Sequence, residues 1–229
     1  NNGCSHARII EEYAKLQADS HATQIGGHLH VLESKFQIIE RRHPVFNSKG
    51  MSRKARYHIA DNFLSAWLGA IERQVNASRV RPMDTCVRTC SERLSTIEGK
   101  AFEKLVRLLL EELSRKGDPG FQITAHVSGY WNRPEDAARN IELDLLLINE
   151  EEKTLRIGTC KRSPDQLLAD WPVFRSHQAA FLRTKEGRRF SGFSIIPCAF
   201  APRIPGSLKA RLQGMGCSAF GLDELLERT

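Results

Sequence analysis

The sequence predicts an α/β fold with two parts, a winged-helix-like domain over residues 1–80 and a mixed sheet flanked by helices over residues 97–229. Two observations predict it. From residue 97 onward, short apolar runs alternate with segments of helical periodicity, as in a sheet covered by helices. Before that, two strand-like runs flank a basic, turn-rich stretch that follows two helical segments. A length of 229 residues fits one or two domains of ordinary size.

The N-terminal part reads as helices followed by a hairpin. Helical patterns cover residues 7–16 and 22–34, and strands are expected at 36–42 and 55–59. The intervening segment 47–54 is rich in Gly, Ser, Lys and Arg, so it suits a wing between the strands. In a DNA-binding winged helix the wing would contact phosphate through Lys49, Arg53 and Lys54. Docking to another protein is the equally weighted alternative.

A trailing helix and a connection join the two parts. Asp61 is a candidate N-cap for a helix over residues 61–73, in which Phe63, Trp67 and Leu68 contribute to an apolar face that is expected to pack. Pro82 then disfavours helix at the residue before it. Residues 81–96 are therefore predicted as a linker or helical connection.

The C-terminal part is predicted as a helix, three strands, a helix, a strand, a helix, a strand and a final helix. The corresponding ranges are 97–116, 121–130, 140–149, 153–160, 164–186, 192–199, 205–213, 216–220 and 222–228.

Two adjacent strands carry the residues with the clearest chemical potential. Asp144 and Lys161 would lie side by side, the carboxylate holding Mg²⁺ or Mn²⁺ and the lysine orienting water and stabilising charge on phosphorus. Glu103 lies beside the apolar face of the preceding helix and would supply a further carboxylate. Glu142 shares a strand face with Asp144, because side chains alternate with period two.

These residues, in this order, resemble the PD-(D/E)XK (restriction-endonuclease-like) nuclease superfamily, whose pattern is a helical Gly-x-x-x-Glu, a strand Asp and then (Asp/Glu)-x-Lys. The matches are Gly99 to Glu103, Asp144 and Thr159–Lys161. The resemblance implies an Mg²⁺-dependent DNA endonuclease with Glu103, Asp144 and Lys161 as catalytic residues and with Asp144, Glu103 and Glu142 at the metal. Many such nucleases are homodimers, which is a further expectation.

Thr159 departs from this pattern, since the superfamily usually carries a second metal-binding acid there. A neutral hydroxyl is a much poorer ligand for a hard divalent cation than a carboxylate is. Glu142 is the first candidate to replace the missing acid and Glu98 the second. A catalytically degenerate nuclease fold that binds nucleic acid or protein is the alternative to an active enzyme.

A second resemblance covers most of the chain. It is similar to the C-terminal portion of archaeal-type ATPases, in which a P-loop ATPase precedes a winged helix and a nuclease-like domain. The matching segments are 32–44, 55–67, 99–103, 129–131, 142–144 and 158–161. The resemblance implies that the chain is part of a longer protein and that the ATPase region is a partner. A Gly-x-x-x-x-Gly-Lys-(Ser/Thr) phosphate loop does not occur, so this chain alone is not expected to hydrolyse ATP.

Composition adds a preference for polyanions and for the cytoplasm. The formal charge is +7, and residues 1–97 hold 14 Lys and Arg against 9 Asp and Glu. Such an excess favours DNA through phosphate neutralisation, although it also serves solubility. The six cysteines lack the spacing of a zinc site, so free thiols in a reducing cytosol are expected. No apolar run approaches the length needed to span a bilayer.

Overall fold

A computed structural model describes residues 3–16, 25–46, 55–132 and 140–229. The chain divides into two compact units, residues 1–98 and residues 99–229. Across the described residues, none of the helices combines the length and apolar character needed to cross a membrane.

The first unit contains short helices and one pair of strands. The helices are α1 (His6–Leu16), α2 (Ile25–Ser34), α3 (Asn62–Ala66) and α4 (Glu72–Ala77), with a π-helical segment, Trp67–Ile71, between α3 and α4. Strands β1 (Ile39–Arg42) and β2 (Arg56–Ile59) pair antiparallel, as predicted. Cys4 forms an isolated bridge to Tyr57 on β2. The proposed wing residues Lys49, Arg53 and Lys54 lie outside the described residues.

Helix α5 (Met83–Arg115) is longer than the sequence predicted. The predicted connection at 81–96 is almost entirely its N-terminal half, and the helix crosses the boundary between the units. Helix α4 ends at Ala77, before Pro82 is reached. Pro82 does not hinder α5, because proline lacks only an N–H that the start of a helix leaves unpaired anyway. The carbonyl of Pro82 accepts a bond from Cys86 N at 3.3 Å.

The second unit is a mixed α/β structure, which confirms the predicted fold class. Its five described strands lie in the order β3-β4-β5-β6-β7, antiparallel from β3 to β5 and parallel from β5 to β7. The strands are β3 (Ser128–Trp131), β4 (Glu142–Asn149), β5 (Thr154–Cys160), β6 (Ser194–Ala201) and β7 (Ser218–Gly221). The helices after β5 are α6 (Pro164–Arg183), α7 (Gly206–Gly214) and α8 (Leu222–Leu226), with a 3₁₀ turn at Gly187–Phe190.

One face of the sheet packs on the C-terminal half of α5. Val106, Leu110 and Leu113 are fully buried there against Leu145 and other side chains of the sheet. Helix α6 buries a second apolar set, including Phe181, whose ring packs edge-on against Tyr130 of β3 at 4.7 Å. Strand β4 is therefore apolar almost throughout, which suits a central strand buried on both faces.

Strand β3 begins later than the predicted 121. Residues 121–127 are held by individual hydrogen bonds and not by a strand ladder. Phe121 N donates to Asp118 O at 3.1 Å, and Ile123 N donates to Ser114 Oγ at 3.1 Å. Phe121 fills the core, so its apolar character came from packing and not from a strand.

Candidate functional site

Asp144 lies on β4, next to the pair formed by Leu145 and Gly158. Its Oδ2 atom accepts a hydrogen bond from Thr159 Oγ1 at 3.1 Å and another from the backbone N–H of Cys160 at 2.8 Å. Both donors belong to β5. The sequence placed Asp144 and Thr159 in one site, and the structure brings them into direct contact.

Burial raises the pKa of the Asp144 carboxyl group above its ordinary value of 3.8. The Cys160 N–H, the charge of Lys161 and the Thr159 hydroxyl oppose this by favouring the carboxylate, while the negative charge of Glu142 adds to the rise. Removal from water is the largest effect. The charged form of Asp144 is therefore disfavoured by its surroundings. Acids with a perturbed pKa are concentrated at the functional sites of proteins.

Lys161 follows the last residue of β5 and continues beside β6, donating its backbone N–H to Phe200 O at 2.9 Å. Its side chain forms an ion pair with Asp170 of α6, with Nζ 2.7 Å from Oδ2. Both side chains remain partly exposed to solvent. The sequence interpretation missed Asp170, because nothing in the spacing from 161 to 170 shows that α6 folds back over the end of β5.

Glu103 occupies the side of α5 beside the buried residues Phe102 and Val106. Its negative charge, like that of Asp144, helps to raise the pKa of the Cys160 thiol. Arg107, one helical turn after Glu103, acts in the opposite direction. The charges of Glu103, Asp144 and Lys161 therefore all act on the Cys160 thiol.

Cys160 itself is not suited to act as a nucleophile. Burial is the main cause that raises its pKa well above the ordinary value, and the thiolate is the reactive form of cysteine. All six cysteines are free thiols.

Glu142 and His177 meet at the other end of the site. His177 Nδ1 on α6 lies 2.9 Å from the carbonyl oxygen of Glu142 and 3.3 Å from its backbone nitrogen. The charge of Glu142 also reaches Asp144. Glu98, the other candidate for the missing acid, belongs to the first unit and is exposed.

Thr159 changes the oxygen ligands that the site can offer to a metal ion. In the parts of the chain that the structure describes, no three His, Cys, Asp or Glu side chains come together as a set that could hold a metal ion. Asp144 Oδ2 already accepts two protein hydrogen bonds. Thr159 binds the carboxylate as a donor, whereas a glutamate in its place would offer oxygen ligands to a cation.

One protein-family model matches part of the chain. Neither the search of curated proteins nor the search of solved structures found a match. The segment that matches the family model contains Glu103, Asp144, Thr159 and Lys161. Residues 67–167, a little under half of the chain, match the model of the family DUF234, described as archaeal and bacterial proteins of unknown function.

Proposed function

We propose that the second unit is a DNA-associated module of PD-(D/E)XK type that binds the phosphodiester backbone without efficient hydrolysis, and that the chain is the C-terminal part of an ATPase. The observation that carries the non-hydrolytic role is the pair of hydrogen bonds on Asp144 Oδ2 from Thr159 Oγ1 and Cys160 N. A carboxylate engaged in this way, without a second acid at 159, is a weak metal ligand.

Lys161 supplies the phosphate contact in this proposal. Its ammonium group is partly exposed at the end of β5, and Arg162 follows it directly. A lysine that is already paired with Asp170 can exchange that carboxylate for a phosphate oxygen, because an ion pair between partly exposed side chains is worth only about 0–1 kcal/mol. The formal charge of +7 favours a polyanion such as DNA.

A second candidate function is Mg²⁺- or Mn²⁺-dependent hydrolysis. It is favoured by the influence of Glu103, Asp144 and Lys161, which all act electrostatically on the Cys160 thiol. In this case Glu142 would serve as the replacement acid, since its charge is felt at Asp144. The residues would bind and orient a phosphodiester, and the metal would supply the activated water.

One set of assays separates the two candidates. The parent chain, Asp144→Ala, Lys161→Ala and Thr159→Glu are incubated with supercoiled, linear, single-stranded and branched DNA, with Mg²⁺ or Mn²⁺, while binding is measured by fluorescence anisotropy. Lys185→Ala is the matched control, since Lys185 is exposed and carries the same charge.

Under the proposal, the parent binds DNA without cutting it, Lys161→Ala weakens binding more than Lys185→Ala does, and Thr159→Glu gains metal-dependent cleavage. Cleavage by the parent that disappears in Asp144→Ala would establish the second candidate in its place. A parent that neither binds nor cuts DNA would exclude both.

A further inference from the structure

A helical segment of the first unit exposes several of its large apolar side chains. It consists of the helical run from Asn62 to Ala77, a turn at 78–82 and the N-terminal end of α5. In the first arm, Gln74 and Ala70 are buried, whereas Phe63 is 72% exposed. A surface helix ordinarily buries its apolar stripe and exposes its polar residues. The sequence interpretation of this stripe as packed is therefore wrong for its largest members.

The exposed apolar residues continue through the turn and into α5. Val80 in the turn is 86% exposed, and Met83 and Val87, one helical turn apart, are also exposed. Cys86 on the same helix is buried. We call this set the exposed apolar face; it comprises Phe63, Trp67, Leu68, Val75, Val80, Met83 and Val87. A concentration of large apolar side chains of this kind marks an interaction surface.

Arginines accompany this face. Arg73, Arg79, Arg81 and Arg88 are all exposed, and among the described residues no ion pair is recorded for any of them. The segment 72–88 carries four basic residues against two acidic ones, Glu72 and Asp84. The border of the apolar face is therefore positively charged, which is complementary to an acidic partner.

We propose that the exposed apolar face docks an amphipathic helix of another protein, one whose apolar stripe is bordered by Asp and Glu. The inference is independent of the proposed function, since it concerns the first unit and needs no nucleic acid. Helices of this kind insert apolar side chains at helical spacing into a groove or face of their receptor.

The side chains favour protein over DNA as the occupant. Phe63 and Trp67 stack on each other, with ring centroids 6.5 Å apart and planes at 19°, so the contact occupies one face of each ring. Contact with hydrated, charged phosphates does not stabilise valine and methionine side chains. Packing against the apolar side of a helix does stabilise them, because it removes their apolar surface from water. The apolar stripe of the proposed partner would pack on the aliphatic side chains, and its acidic borders would pair with the arginines.

The probe is a synthetic, fluorescently labelled 20-residue helix with Leu along one face and Glu along its borders, titrated with the full chain. A second peptide replaces every Glu by Lys. We expect the acidic peptide to bind at least tenfold more tightly than the basic one at low salt, with the difference shrinking as salt is added. Arg79→Glu combined with Arg81→Glu is expected to reduce or invert this preference.

Apolar substitutions test the face itself. Leu68→Ser and Val80→Ser are each expected to weaken the acidic peptide at least tenfold, whereas Val173→Ser, which alters an exposed valine of the second unit, leaves binding unchanged. Val80 is so exposed that it contributes little to the core. Weaker peptide binding by Val80→Ser could therefore not be explained by misfolding.

Three results overturn the inference. One is the absence of acidic-peptide binding, or binding that all these variants leave unchanged. Another is a dimer in sedimentation velocity that Leu68→Ser dissociates, with no peptide bound, since the face would then join two copies of this chain. The third is DNA binding that Arg79→Glu abolishes while the peptide fails to bind.

Discussion

Lys161 Nζ lies 2.7 Å from Asp170 Oδ2, so the lysine expected to act on phosphate is held by a carboxylate of the next helix. The pair links the end of β5 to α6 and fixes the direction of the lysine side chain. It also lowers the positive charge available to a phosphate. Asp170 is therefore placed to moderate how strongly the site attracts DNA.

Replacing Asp170 with Asn should strengthen DNA binding. Lys161 then no longer has to leave Asp170 before it contacts phosphate, so affinity should rise by up to about fivefold, the equivalent of an exposed ion pair worth about 0–1 kcal/mol. Affinity is measured by anisotropy from low to moderate salt. Asp165→Asn, in the first turn of the same helix, removes an equal charge and serves as the control. An equal gain for the two variants would show that the pair between Lys161 and Asp170 has no special part in binding.

Asp144→Asn should stabilise the second unit at neutral pH. The folded-state pKa of Asp144 is raised, so the native state binds the proton more tightly than the unfolded state does. The stability from this group is complete below the unfolded pKa near 3.8 and is lost as pH rises through the folded pKa. Asparagine does not ionise, so its contribution to stability does not fall as pH rises. Its side-chain oxygen can still accept the hydrogen bonds from Thr159 and Cys160.

The measurement is urea unfolding from pH 3 to pH 8 in a Trp67→Phe background. Only Trp131 and Trp171 then remain, and both are buried in the second unit. The gain from Asp144→Asn should be largest at neutral pH and should shrink as the solution is acidified. A gain that does not change with pH would contradict the assignment to the carboxyl pKa.

Gly158→Ala should destabilise the second unit by about 1–3 kcal/mol, the usual cost of an extra methyl group in a packed core. A Cβ atom at this position would lie 3.0 Å from Phe200 Cε2 and 3.1 Å from Leu145 Cβ. Gly99→Ala is the opposite case, because its Cβ would meet nothing within 4 Å on a helix. It should stabilise by about 0.5–1 kcal/mol. Urea unfolding of the two variants checks both signs, and a large loss for Gly99→Ala would mean that this glycine has a packing role.

Asp61→Ala should destabilise the start of α3 by about 1 kcal/mol. The Asp61 Oδ1 atom accepts a 2.6 Å bond from Leu64 N, which caps the helix as the sequence predicted. Amide hydrogen exchange at Leu64 and its neighbours should accelerate in the alanine variant. Asp61→Asn keeps an equivalent acceptor and should exchange at close to the parental rate.

The sequence was most informative where local rules decide the structure. The apolar runs predicted β4 and β5 to within two residues, and Asp61 was recognised by the chemistry of its side chain. The order of residues that resembles the nuclease pattern put Asp144 and Thr159 in one site, and the two side chains are hydrogen-bonded. These outcomes depend on neighbouring residues, which the sequence displays directly.

Long-range packing limited the rest. The pairing of Lys161 with Asp170 depends on where α6 lies, and no local pattern states this. The apolar stripe of residues 61–73 was expected to be buried, but Phe63 is exposed. The sequence shows that a helix has an apolar stripe, but it does not show whether the same chain covers that stripe. The length of α5 was missed because Pro82 was interpreted as an interruption and not as the start of a helix.

The order of strands in the sheet has a consequence for how the second unit is assembled. β4 and β5 are joined by only four residues, so their pairing is a local event, whereas β6 arrives after a crossover of 33 residues from 161 to 193. Closing such a loop is slow compared with forming a hairpin. During synthesis on the ribosome, one edge of β5 therefore remains without its hydrogen-bonding partner until β6 has been made. This edge includes Leu155 and Ile157. That interval is when we expect this chain to depend most on chaperones.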